Sequence, residues 1–120
     1  MKREFFIAGV QFRPKQEINE AMKNLRKGSK LKLSPEPDNK FDLNAVKIIS
    51  EDNIFLGFVP KKFSAEISAM LEVHTTVECI VEEIDLKAKS WEMIKVTVRY
   101  EEEEDDLKKG EFTNESSILL

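Results

Sequence analysis

The feature that most limits what this chain can become is a succession of short apolar runs, most of them with period two, each closed by residues that turn the backbone. Lys30-Leu31-Lys32-Leu33 alternates and runs into Ser34-Pro35-Glu36-Pro37-Asp38-Asn39-Lys40, a stretch dense in turn-forming and stiffening residues. Ala45 to Ile49 and Ile54 to Val59 are two further runs, separated by Glu51-Asp52-Asn53, which predicts a tight hairpin. Thr75 to Ile84 is rich in β-branched residues, with Val77, Cys79 and Val81 alternating, and Trp91 to Tyr100 alternates again. A first strand is expected over residues 4–12, through Phe5-Phe6-Ile7-Ala8-Gly9-Val10, and Pro14 ends its pairing. Helical spacing occurs only twice. Ile18, Ala21, Met22 and Leu25 predict a helix from Glu17 to Arg26 with Gly28 as its stop, and Phe63, Ile67, Met70 and Leu71 predict a second over 61–72, entered through Pro60. Five to six strands with two short helices predict a mainly β (α+β) chain, an OB-like or SH3-like small barrel.

A chain of 120 residues suits one domain, with 41% hydrophobic and 35% charged residues. The expected division is a folded unit over 1–100 and a disordered acidic tail over 101–120. The net charge of −4 is not evenly spread: residues 1–100 carry 17 Lys/Arg and 15 Asp/Glu, while residues 101–120 carry 2 and 8. The folded part is therefore slightly basic, and the overall acidity does not exclude a polyanionic ligand. No apolar run is long enough for a membrane span or a secretory signal, and a single cysteine, Cys79, forms no internal disulfide. A cytoplasmic protein with no membrane partner is expected, with nothing to separate cytoplasm from nucleus.

Catalytic chemistry finds little to work with. One histidine, His74, follows the second helix, where a C-terminal cap is its ordinary role. The glycines are isolated, so no phosphate loop is built, and Glu82 and Glu83 are strand neighbours expected on opposite faces. The expectation is a chain that is not an enzyme and has no metal or cofactor.

Three motifs in order carry a resemblance. Ile7-Ala8-Gly9-Val10-Gln11-Phe12-Arg13, then Pro35-Glu36-Pro37-Asp38-Asn39-Lys40-Phe41-Asp42-Leu43-Asn44-Ala45-Val46, then Leu56-Gly57-Phe58-Val59-Pro60-Lys61 together resemble the HIRAN domain. That module is found in chromatin-remodelling helicases and as a stand-alone bacterial or phage protein. The resemblance covers about residues 5 to 100. It implies an OB-like barrel that holds the 3′ end of single-stranded DNA without a cofactor, in DNA repair or replication-fork processing, and it allows a helicase or nuclease as partner in trans. By the motif match the binding residues fall on Gln11, Phe12, Phe41, Asp42, Phe58 and Lys61. Gln11 stands where the remodeller members have arginine, and Phe12 and Phe41 where they have tyrosine, which removes a phosphate clamp and two hydroxyl donors.

The chemistry of those residue types agrees. Phe12 and Phe41 offer π-faces to bases, Asp42 offers an acceptor to a terminal hydroxyl, and Arg13, Lys15, Lys40, Lys61 and Lys62 supply cations beside them. Each also has an ordinary reading: Phe12 and Phe41 as barrel core, Asp42 and Asn44 as turn residues, the lysines as a solvated helix entry, Trp91 as a core or rim residue. The competing function is a protein-interaction module using the same barrel, its sheet edge or its acidic tail. Salt dependence separates the two.

Overall fold

The computed structural model describes residues 1–74 and 76–100; the expectation of a disordered tail falls on residues 101–120, outside them. The strands are β1 (Lys2–Phe6), β2 (Lys30–Pro35), β3 (Val46–Ser50), β4 (Phe55–Phe58), β5 (Val77–Ile84) and β6 (Ile94–Tyr100), with helices α1 (Lys15–Met22) and α2 (Lys61–Val73). All pairings are antiparallel, in one curled sheet of order β1-β6-β5-β2-β3-β4. The two sheet edges meet at one point, where Ala8 and Phe58 exchange backbone hydrogen bonds of 2.9 and 2.8 Å. Beyond Phe58 the seam reaches Pro60, which has no N–H to donate, and the chain turns into α2. The expected small barrel of five to six strands and two short helices forms with six strands, closed among the described residues by the Ala8–Phe58 bridge.

Alternation sorts the side chains. Ile94, Val96, Val98 and Tyr100 of β6 point inward and are buried with Ile7, Ile48, Leu56, Ile67 and Val81, while Lys95 and Arg99 face out. Cys79 lies in this core, and burial pushes its thiol up to about 12, which makes it an inert apolar filler. α2 covers one end of the barrel through Phe63, which stacks on Phe5 at 5.4 Å, and through Glu66, which receives a two-pronged hydrogen bond from Arg3 at 2.9 and 2.7 Å.

Several boundaries differ from the sequence expectation. The first strand ends at Phe6, because Gly9 adopts φ +79 and turns Val10–Phe12 into a 3-10 helix. α1 starts at Lys15 and stops at Met22 rather than running from Glu17 to Arg26. An i→i+3 bond from the Lys23 N–H to the Glu20 carbonyl tightens its last turn, and Leu25 packs on the core from the following loop. β5 begins at Val77, not Thr75, and β6 at Ile94, not Trp91; Trp91 instead sits in a second 3-10 helix, Ser90–Glu92.

Candidate nucleic-acid interface

The residues singled out by sequence lie at 11–13, 40–42 and 58–61, and the fold gathers most of them at the corner where β4 passes into α2. Phe58 closes β4 and pairs with Ala8, which brings the 3-10 helix of Val10–Phe12 alongside: a β-carbon on Gly9 would lie 3.8 Å from the Phe58 ring. Lys61 opens α2 three residues later. The loop between β2 and β3 is tied to the same turn of α2, because the Ser64 hydroxyl lies 2.8 Å from Asp42 Oδ2 and 3.0 Å from the Lys61 carbonyl.

That loop is held by its own side chains. Asn39 Oδ1 accepts the N–H groups of Phe41 and Asp42 at 2.8 and 2.9 Å, Asn39 donates to Glu36 at 2.8 Å, and Asp42 Oδ1 accepts the Asn44 N–H at 2.9 Å. These are Asx-type turns made by the Asn39 and Asp42 side chains, the ordinary role foreseen for Asp42. Their result is a loop fixed in shape that presents Phe41 outward. Phe41 is 89% exposed and Phe12 82% exposed, so neither is the core residue that an isolated phenylalanine usually is. Two large apolar rings kept in water beside ordered backbone are a ready surface for stacking.

Asp42 has a dual position. The Ser64 hydroxyl, then the Asn44 amide, and more weakly the Lys61 charge hold its carboxyl below the usual range, against the opposing effect of burial. It is therefore ionised at neutral pH, and two hydrogen bonds do not exhaust a carboxylate's acceptor capacity. Ser64, only 2% exposed, is the residue that sequence reasoning missed here. Nothing in a lone serine early in a helix marks it as the anchor of a distant loop.

The remaining residues divide. Gln11 is exposed and lines a cleft of about 450 Å³ with Gly9, Pro60, Lys62, Phe63 and Trp91. Trp91 is not in the core but 49% exposed at the rim, the other of the two places expected for it, with Lys89 Nζ 5.4 Å from its ring. Lys40 is exposed on the loop and Lys61 on the helix entry. Arg13 is engaged by the fold: its Nε donates to the Phe55 carbonyl at 3.1 Å, its guanidinium lies 4.0 Å over the Phe55 ring, and Glu17 is 3.3 Å away. α2 has no side-chain N-cap and no acidic residue in its first turn, so Lys61 and Lys62 add positive charge to a helix end that already favours anions.

Comparison with known proteins bears on the fold. The structure is similar to the crystal structure of the HIRAN domain of human HLTF, with TM-score 0.60 and 12% identity over 81% of this chain and 72% of that one. It is also similar to a protein from Lactobacillus plantarum, with TM-score 0.64 and 16% identity over 83% of this chain and all of that one. At such identities the likeness speaks for the fold alone. No curated protein matches the chain. The model of the HIRAN domain matches residues 3–103, which is nearly the whole of the described structure together with its first few following residues. The chain belongs to the HIRAN domain family.

Proposed function

We propose that this domain binds the exposed 3′ end of single-stranded DNA at the β4–α2 corner, without turning it over. HIRAN domains are DNA-binding modules, and family membership supports nucleic-acid binding by this chain. The observation that carries the finer reading is the pairing of two almost fully exposed rings, Phe12 and Phe41, with an ionised Asp42 fixed beside Lys61. The rings stack on bases, at roughly 1–3 kcal/mol each, with little regard for sequence. Asp42 accepts a hydrogen bond from a terminal 3′-hydroxyl, a donor that an internal nucleotide lacks. Lys61, Lys62 and the uncapped first turn of α2 receive the adjacent phosphate. Gln11 supplies a neutral donor and acceptor in place of a guanidinium, so end recognition leans on Asp42 and stacking more than on a charge clamp. A role in repair or at replication forks, in the cytoplasm and beside a helicase or nuclease acting in trans, belongs to the same proposal.

The test is fluorescence anisotropy with matched oligonucleotides ending in a 3′-hydroxyl or a 3′-phosphate. The phosphate replaces a donor by an anion facing a carboxylate, and binding should weaken on the order of ten-fold. Asp42→Asn keeps an oxygen for the Asn44 amide and should flatten that preference. Equal binding of both ends by the wild-type domain defeats the end-reading role. Cleavage of labelled strands on addition of divalent metal defeats the claim of binding without turnover.

A further inference from the structure

We propose that a strand held by its end at this corner leaves across the outward face of β2, β3 and β4, where Arg13, Lys32 and Lys47 follow its phosphates. This rests on the end-binding reading above and adds the path of the strand's body.

Register defines the face. Lys32, Ile49 and Phe55 form one outward row, and Ser34, Lys47 and Phe58 the next, their neighbours Leu31, Ile48 and Leu56 pointing into the core. Phe58 belongs to both the corner and this face, so the two surfaces are continuous. Phe55 meets the Phe58 ring edge-on at 5.2 Å, and its own ring holds two cations: Arg13 at 4.0 Å and Lys47 Nζ at 5.0 Å. Lys32 Nζ is held to Asn53 Oδ1. Phe55 is thus occupied as a stacking face and serves to position charge. Three ordered cations stand here against Glu17 and Glu36, which lie 3.3 Å from Arg13 and 3.6 Å from Lys47.

The other way out is unfavourable. Past Trp91 and Phe6 the surface falls into a depression lined by Glu83, Asp85 and Glu92, and the nearby Lys95 is already 3.6 Å from Glu83. Phosphates routed there would meet carboxylates. Because the β2–β4 face contributes charge and no free ring, its share of binding should be strongly salt-dependent and indifferent to base identity.

The experiment compares 3′-hydroxyl strands of three and ten nucleotides by anisotropy. Wild-type protein should bind the longer strand on the order of ten-fold more tightly at about 50 mM salt, with the gain fading toward about 200 mM. Lys32→Gln and Lys47→Gln should each lower affinity for the ten-mer several-fold and flatten its salt slope by roughly 0.7, leaving the three-mer unchanged. Glu83→Gln and Glu92→Gln should change neither. If the three-mer binds and the ten-mer binds no better, or if the lysine changes weaken both equally, the path is wrong while end binding stands. A ten-mer tightened by Glu83→Gln or Glu92→Gln sends the strand the other way and overturns it. If neither strand binds, end binding itself fails and the path falls with it.

Discussion

Gly57→Ala is the substitution from which the structure draws the largest consequence. Gly57 sits in β4 one residue before the backbone bridge that closes the barrel among the described residues, and a β-carbon built on it would point at the Ala8 carbonyl. A β-carbon there would lie 2.7 Å from Ile7 Cγ2 and still closer to the Ala8 carbonyl oxygen. A side chain can swing away, but that carbonyl is backbone already bonded to the Phe58 N–H, so relief requires β4 and the Ile7–Ala8 segment to part. Overpacking of this kind costs about 1–3 kcal/mol, and loss of the two Ala8–Phe58 hydrogen bonds adds about 1 kcal/mol each. The total of roughly 3–5 kcal/mol is a large part of the ~5–15 kcal/mol a domain of this size has. Urea unfolding followed by circular dichroism should show the loss, and hydrogen exchange should show the Ala8 and Phe58 amides losing protection first. DNA binding should fall at temperatures where the domain is still folded, since the seam holds Gln11 and Phe12 against the β4–α2 corner. A loss below about 0.5 kcal/mol with both amides still protected would refute the claim that this close approach closes the barrel.

Phe12→Ala and Phe41→Ala should leave the unfolding free energy within about 0.5 kcal/mol of wild type, as their exposure requires, while weakening all single strands alike; a large stability loss would show the rings packed. Acid should destabilise the domain through Asp42 and Glu66, whose carboxyls are held below their ordinary values of 3.8 and 4.5 by the Ser64 and Arg3 hydrogen bonds. The folded state binds these protons less readily than the unfolded chain, so the contribution is complete above the ordinary values and is lost as pH falls through the lowered ones. Asp42→Asn and Glu66→Gln should each soften the decline seen below about pH 4 in a pH series of melts, and an unchanged slope would remove these groups from the account. Truncation after Tyr100 should leave the unfolding midpoint nearly unchanged and raise DNA affinity modestly at low salt only, because the like-charge run of 101–106 repels phosphate over a screened range. Equal affinities at low salt would place that charge away from the site.

Much of the fold is legible because alternation is a backbone property: β2 to β6 follow directly from period-two runs and the turns between them. Where the reading slipped, a local conformation overrode the pattern. The stretch 4–12 looks like one strand, yet a single left-handed glycine at position 9 turns Val10–Phe12 into a 3-10 helix and so creates the platform for Gln11 and Phe12. The candidate site was half visible. Phe41 and Asp42 stand out by motif, but the Ser64–Asp42 bond joins residues 22 positions apart, and the exposure of Phe41 depends on how the loop folds on itself. Arg13 and Trp91 show the limit from both sides: a cation drawn into a ring and a carbonyl, and an aromatic left half in water.

The most direct test of the central claim is a backbone amide NMR titration of the 15N-labelled domain with a short 3′-hydroxyl single strand. The amides of Gln11, Phe12, Phe41, Asp42, Phe58 and Lys61 should shift together along one saturating curve, with those of β1 and the outer face of β5 unmoved. Shifts confined to the β5–β6 face, or none at saturating DNA, would contradict the assignment of the β4–α2 corner as the nucleic-acid interface.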